Sequence, residues 1–131
     1  MPKLLIAEDS GVVQRLIKLA IQVDKTIEVV AVVADGEQAV AETLKHKPDV
    51  IVMDYRMPKM NGGDALKQIM SQCPTSVIFV SSAIEMKNEL LKLGAASFIE
   101  KPKELDYTGI ATKLINDIKV YSRVKPPVKT Y

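Results

Sequence analysis

The feature that most constrains this chain is an alternation between two apolar periods. Unbroken apolar runs, rich in Val and Ile, occur at Lys3–Ala7, Ile27–Ala34, Asp49–Asp54, Ser76–Ser81 and Ala96–Ile99. A run with no polar alternation has no face to offer water, so each reads as a strand buried on both sides, as in a parallel sheet. Between the runs, apolar residues recur at helical spacing. The stripes are Val12, Leu16, Leu19 and Val23; Ala39, Val40, Thr43 and Leu44; Ala65, Leu66, Ile69 and Met70; Met86, Leu90 and Leu93; and Ile110, Leu114, Ile118 and Tyr121. All of these are expected in the core. Asp35-Gly36 turns strand two into helix two, Lys47-Pro48 precedes strand three, and Gly94 stands where a left-handed helix cap is expected. Five strands alternating with five helices give an α/β, doubly wound (βα)5 chain. Right-handed crossovers then place helices on both faces of one five-stranded parallel sheet.

A length of 131 residues favours one domain, here 1–122, with 123–131 as a basic tail or the start of a linker interrupted by Pro126-Pro127. No acid follows Asp117, whereas Lys119, Arg123, Lys125 and Lys129 do. A solvated tail accounts for that asymmetry better than nucleic-acid binding, and none is expected. Cys73 is the single cysteine, which rules out an intramolecular disulfide and suits a reducing, cytoplasmic setting. The apolar runs are strand-sized, so no membrane span is expected. Glu8-Asp9 interrupts the first run too early for a signal peptide.

In a parallel sheet every strand ends on the same edge, and that edge is where open α/β sheets bind their ligands. Strand one ends in Glu8-Asp9, strand three in Asp54, strand four in Ser81-Ser82 and strand five in Glu100-Lys101-Pro102. Carboxylates gathered there repel one another, by about 4 kcal/mol for a pair ~4 Å apart at an effective dielectric of about 20. They need a cation or shifted pKa values. Mg2+ suits them, being hard and oxygen-seeking. An acid pair, a nucleophilic carboxylate, a hydroxyl and an ammonium together suit phosphoryl transfer onto an aspartate.

Glu8-Asp9, the block Asp54-x-x-Met57-Pro58-x-x-Asn61-Gly62, Ser81 and Lys101-Pro102 resemble the receiver domain of two-component response regulators over residues 3–121. The resemblance implies a flavodoxin-like sheet of order 2-1-3-4-5 and a phosphorylation-activated signalling switch. It implies that Asp54 accepts a phosphoryl group from a sensor histidine kinase or phosphotransfer protein. Mg2+, with Mn2+ able to substitute, is implied on Asp9, Asp54, the backbone carbonyl of Arg56 and, through water, Glu8. Ser81 is implied as the hydroxyl that moves onto the phosphoryl group, Lys101 as its charge partner, Phe98 as the switch ring, and Lys101–Pro102 as a cis peptide. The implied partner on the output side is a downstream protein or a linked effector domain. The turn Val80-Ser81-Ser82-Ala83 and the segment Gly94–Pro102 are also similar to the receiver of chemotaxis protein methylesterases. No esterase activity is expected of these residues, because the catalytic domain of those proteins lies outside them.

Several positions depart from the commonest receiver pattern. Ser81 replaces the more frequent threonine but keeps the hydroxyl. Phe98 lacks the phenolic group of the usual tyrosine. Arg56 and Ala83 offer no side-chain group to orient an attacking water, so self-hydrolysis is expected to be slow. Other function classes fit less well. A haloacid-dehalogenase-type phosphohydrolase needs a second acid where Arg56 stands. A flavin binder needs a phosphate-cradling loop where Glu8-Asp9-Ser10-Gly11 is acidic. A DNA-binding regulator needs a helix-turn-helix that these residues lack. His46, Cys73, Tyr107, Tyr121, Lys87 and Glu89 are read as surface or packing residues.

Overall fold

The computed structural model describes residues 1–131. In chain order its elements are β1 (Lys3–Ala7), α1 (Gly11–Ile21), β2 (Glu28–Val33), α2 (Gly36–His46), β3 (Val50–Met53) and α3 (Gly62–Gln72). They continue with β4 (Ser76–Ser81), a 3-10 turn (Ile84–Met86), α4 (Lys87–Leu93), β5 (Ser97–Glu100) and α5 (Thr108–Tyr121). All strand pairs are parallel, in the order β2-β1-β3-β4-β5. The central strands β1, β3 and β4 are buried almost throughout, as expected of runs with no polar alternation.

Side chains alternate between the two faces. Leu5, Ala7, Ile51, Met53, Val77 and Phe79 point to the layer that contains Ala39, Leu66, Ile69 and Leu90 of α2, α3 and α4. Leu4, Ile6, Val50, Val52, Ile78 and Val80 point to Ile17, Ile21, Leu114 and Ile118 of α1 and α5. The first three helices start on side-chain caps at the carboxyl edge. Ser10 Oγ accepts from Val13 N–H, Asp35 Oδ1 from Gln38 N–H and Asn61 Oδ1 from Asp64 N–H, at 3.2, 2.8 and 2.9 Å. Each such cap stabilises its helix by about 1 kcal/mol and fixes the angle at which the loop leaves the strand.

The expected core stripe of α1 is corrected by the structure. Val12, Leu19 and Val23 are 54%, 51% and 75% exposed, and the buried face is Ile17, Ala20 and Ile21. The sheet can accept only one of the two apolar faces, and Ile17, Ala20 and Ile21 pack in one cluster with Leu4 and Ile6. Leu44 of α2 is exposed as well. Gly94 closes α4 at φ +121°, the positive-φ cap expected there. The tail does not stand free: Ser76 Oγ donates to Val124 O at 2.8 Å and Lys129 N–H to Met70 O at 3.1 Å. No helix is long and apolar enough to cross a membrane.

Candidate functional site: an acidic pocket at the carboxyl edge

β1 carries Glu8 out of the centre of the sheet. The residue stays 1% exposed because its N–H still pairs with Val33 O at 3.0 Å and its carbonyl accepts the Gln14 side-chain amide at 2.6 Å. Its Oε2 accepts Ser10 N–H at 2.9 Å. Asp9 beside it is exposed. From the neighbouring strand, Asp54 donates its N–H to Ala7 O at 3.0 Å, extending the β1–β3 ladder by one residue beyond Met53. Its Oδ1 accepts Tyr55 N–H at 2.7 Å, and its Oδ2 accepts from Lys101 Nζ at 2.7 Å. The backbone N–H of Lys101 bonds Ser81 O at 3.0 Å, so the register of β5 on β4 aims the lysine inward.

Lys101 therefore meets two acids. Its ammonium is also 2.7 Å from Glu8 Oε1, in an ion pair whose direction falls outside hydrogen-bond geometry, so that oxygen is buried with no hydrogen bond. Burial pushes the Glu8 carboxyl above its ordinary value, and Lys101 and Ser10 N–H offset this only in part. For Lys101, burial works against the ammonium, but the hydrogen bond to Asp54 and the negative charges of Asp54 and Glu8 outweigh it and raise the pKa. Ligand oxygens of Glu8, Asp9 and Asp54 lie within 4.8 Å of one another. Three carboxylates against one ammonium, with a buried carboxylate oxygen left unbonded, form a donor set that fits a hard divalent cation.

Ser81 is fully buried at the end of β4, and its Oγ accepts Ala83 N–H at 3.1 Å, which leaves the hydroxyl proton free to donate. Phe98 pairs with Phe79 in register, the rings stacked at 6.5 Å between centroids, and is buried. Arg56, two residues after Asp54, forms an ion pair with Glu85 of the 3-10 turn. One expectation fails: the chain has no cis peptide bonds, so Lys101–Pro102 is trans. The two isomers of an X–Pro bond differ by only about 0.5–1 kcal/mol, too little for sequence alone to choose between them.

Several contributors carry no legible signal in the sequence. Ser10 and Gln14 hold Glu8 through local bonds. Gly62, by contrast already legible in the Asn61-Gly62 pair, is required by proximity, since a Cβ there would lie 2.4 Å from Asp54 O. Glu85 is visible only once the loops are folded. Tyr107, read as a packing residue, is buried, and burial raises its hydroxyl pKa while the charges of Lys101, Glu8 and Asp54 reach it.

The family model for the response regulator receiver domain matches residues 4–108. The protein-glutamate methylesterase/protein-glutamine glutaminase 1 of Syntrophus aciditrophicus is 39% identical over 95% of this chain and 38% of its own length. The corresponding protein of Methanococcus maripaludis is 38% identical over 98% of this chain and 37% of its own. This chain thus spans less than two fifths of these curated relatives. The crystal structure of the response regulator domain of Thermotoga maritima CheB superposes with a TM-score of 0.88 at 37% identity, covering 96% of this chain and 99% of that one.

Proposed function

The chain belongs to the response regulator receiver domains and is a phosphorylation-regulated signalling switch; on that premise we propose that Asp54 is the residue that takes the phosphoryl group. The observation that carries this reading is the Lys101 ammonium bridging Asp54 and Glu8 at the carboxyl edge. A carboxylate oxygen of Asp54 attacks the phosphorus of a phosphohistidine. The P–O bond forms as the P–N bond breaks, and the departing imidazole takes up a proton.

Glu8, Asp9, Asp54 and the Arg56 carbonyl would hold Mg2+, for which Mn2+ can substitute; when bound, the ion supplies positive charge against the phosphoryl oxygens. Lys101 is already charged and aimed at Asp54, and it offsets the incoming negative charge without reorganising. The free Ser81 proton donates to a phosphoryl oxygen. That draws in the β4–α4 turn, and the Phe98 ring repacks with it.

The donor is a sensor histidine kinase or phosphotransfer protein. The likeness to methylesterases supports a chemotaxis output through a linked effector domain or a downstream protein. Residues 1–122 form the receiver and 123–131 its tail. The protein catalyses its own phosphorylation and dephosphorylation with no separate enzymatic domain in these residues. It works in the cytoplasm, without binding membrane or nucleic acid directly. Incubation with acetyl phosphate and Mg2+, followed by intact-mass measurement, tests the assignment. One phosphate adduct that disappears in Asp54→Asn is expected, and an adduct that survives the substitution overturns it.

A further inference from the structure

The last eight residues cross the edge of the sheet opposite to Asp54. They leave the end of α5 on one face, pass beneath the first residue of β4 and reach the ends of α3 and α4 on the other face. Three bonds mark the route. Ser76 Oγ donates to Val124 O, Lys129 N–H to Met70 O, and the Tyr131 hydroxyl to Leu93 O. The Lys129 stem fills the space left by the missing side chain of Gly94, where a Cβ would stand 2.9 Å from Lys129 Cε and 3.5 Å from Met70 Cε.

The contact this segment makes with Leu93 matters because α4 is the shortest α-helix in the fold. It has seven residues, no side-chain cap at its start, and Leu90 as its one buried side chain. A helix this short is unstable in isolation and depends on what fixes its ends. At its far end, the carbonyl of its last residue, Leu93, is bonded by Tyr131. At its near end it connects to Ser81 by consecutive local bonds: Met86 N–H to Ala83 O at 2.9 Å, Ile84 N–H to Ser82 O at 2.9 Å, and Ala83 N–H to Ser81 Oγ at 3.1 Å. The turn that carries Ser81 and the helix held by the tail thus form one continuous unit.

We propose that residues 124–131 are a strap that steadies α4, and that its docking is thermodynamically linked to phosphorylation of Asp54 through the Ser81 turn. The linkage rests on the assignment of Asp54 in the preceding section; the steadying of α4 does not. Docking the strap favours the unphosphorylated arrangement of the turn, so releasing it favours the movement of Ser81 toward a phosphoryl group. Linkage is reciprocal, so phosphorylation must loosen the strap by the same factor. A force or partner acting on the tail would therefore reach the site from the opposite edge of the sheet.

The test compares the full chain with Tyr131→Phe and with a chain stopped after Val124. Amide hydrogen exchange is followed in α4, with α1 as internal control, and phosphorylation by acetyl phosphate with Mg2+ is followed by intact mass. One neutral hydrogen bond corresponds to about a fivefold change in an equilibrium. Tyr131→Phe is expected to speed exchange in α4 about fivefold and the shortened chain by more, with α1 unchanged. Both variants are expected to phosphorylate faster than the full chain, and phosphorylation of the full chain is expected to speed exchange at the Lys129 amide. Unchanged α4 exchange in the shortened chain overturns the strap. An adduct that forms at equal rates in all three proteins, with the Lys129 amide indifferent to it, overturns the linkage alone. Absence of any adduct overturns the assignment of Asp54, and the linkage with it, while the exchange data still decide whether the strap steadies α4.

Discussion

Lys101 Nζ stands 2.7 Å from Asp54 Oδ2 and 2.7 Å from Glu8 Oε1, one cation shared by two buried acids from different strands. Removing it would leave those acids facing each other with little solvent. Lys101→Met is expected to destabilise the metal-free protein by about 3 kcal/mol, the usual cost of stripping one partner from a buried pair. Added Mg2+ is expected to recover more stability in the variant than in the parent. Urea unfolding with and without Mg2+ measures both, and a loss within error of zero would show that the bridge contributes nothing.

Proton linkage at Glu8 has a definite sign. Its folded pKa is raised, chiefly by burial, above the ordinary 4.5. The stability it contributes is fully present below pH 4.5 and is lost as pH climbs through the raised value, because the folded state holds the proton longer. Metal-free protein is therefore expected to lose stability from that group as pH rises above 4.5, and Glu8→Gln should remove that part of the slope. Lys101 is raised too, so its own loss falls above its ordinary 10.5 and leaves the acidic window clear. Thermal melts of the two proteins across this range decide the matter; coincident profiles would refute the Glu8 linkage.

Arg56 and Glu85 pair across two loops, with 58% of each side chain exposed. An ion pair so open contributes under about 1 kcal/mol to stability, so Arg56→Gln should barely move the melting temperature. Neither Arg56 nor Ala83 carries an amide or acid to orient water at the phosphoryl group, and a phosphoaspartate lifetime of minutes rather than seconds is expected with Mg2+. Following the adduct by mass after donor removal gives the lifetime. Decay within a few seconds would contradict this account of the loop.

Two glycines should behave oppositely. A Cβ at Gly62 would sit 2.4 Å from Asp54 O and 2.8 Å from Phe79 Cε1, whereas one at Gly109 in α5 would meet nothing within 4 Å. Gly62→Ala is expected to cost about 1–3 kcal/mol and to slow phosphorylation. Gly109→Ala should stabilise by up to about 1 kcal/mol. Chemical denaturation of both variants checks the contrast, and equal effects would show that the close approach at Gly62 is tolerated.

The strand ends were legible because each is an abrupt change from apolar to polar or charged residues, and a parallel sheet brings such changes together. Glu8, Asp54 and Lys101 meet for that reason. The α1 core face was not legible because both of its apolar faces have helical spacing. The choice of Ile17, Ala20 and Ile21 over Val12, Leu19 and Val23 is made by the sheet beneath. The Lys101–Pro102 isomer and the docking of the tail were hidden for a related reason. Each depends on small energies set by residues distant in the chain.

The burial of β3 on both faces has a consequence for how this domain tolerates change. A slip of one residue against β1 would exchange Ile51 and Met53 with Val50 and Val52 between two differently shaped layers, so the strand is indexed rather than merely held. Asp54 follows directly on that indexed segment. The layers can therefore accumulate conservative substitutions without moving the carboxylate along the strand axis. The aim of the site is protected by the periodicity of the sheet rather than by the identity of any one core residue.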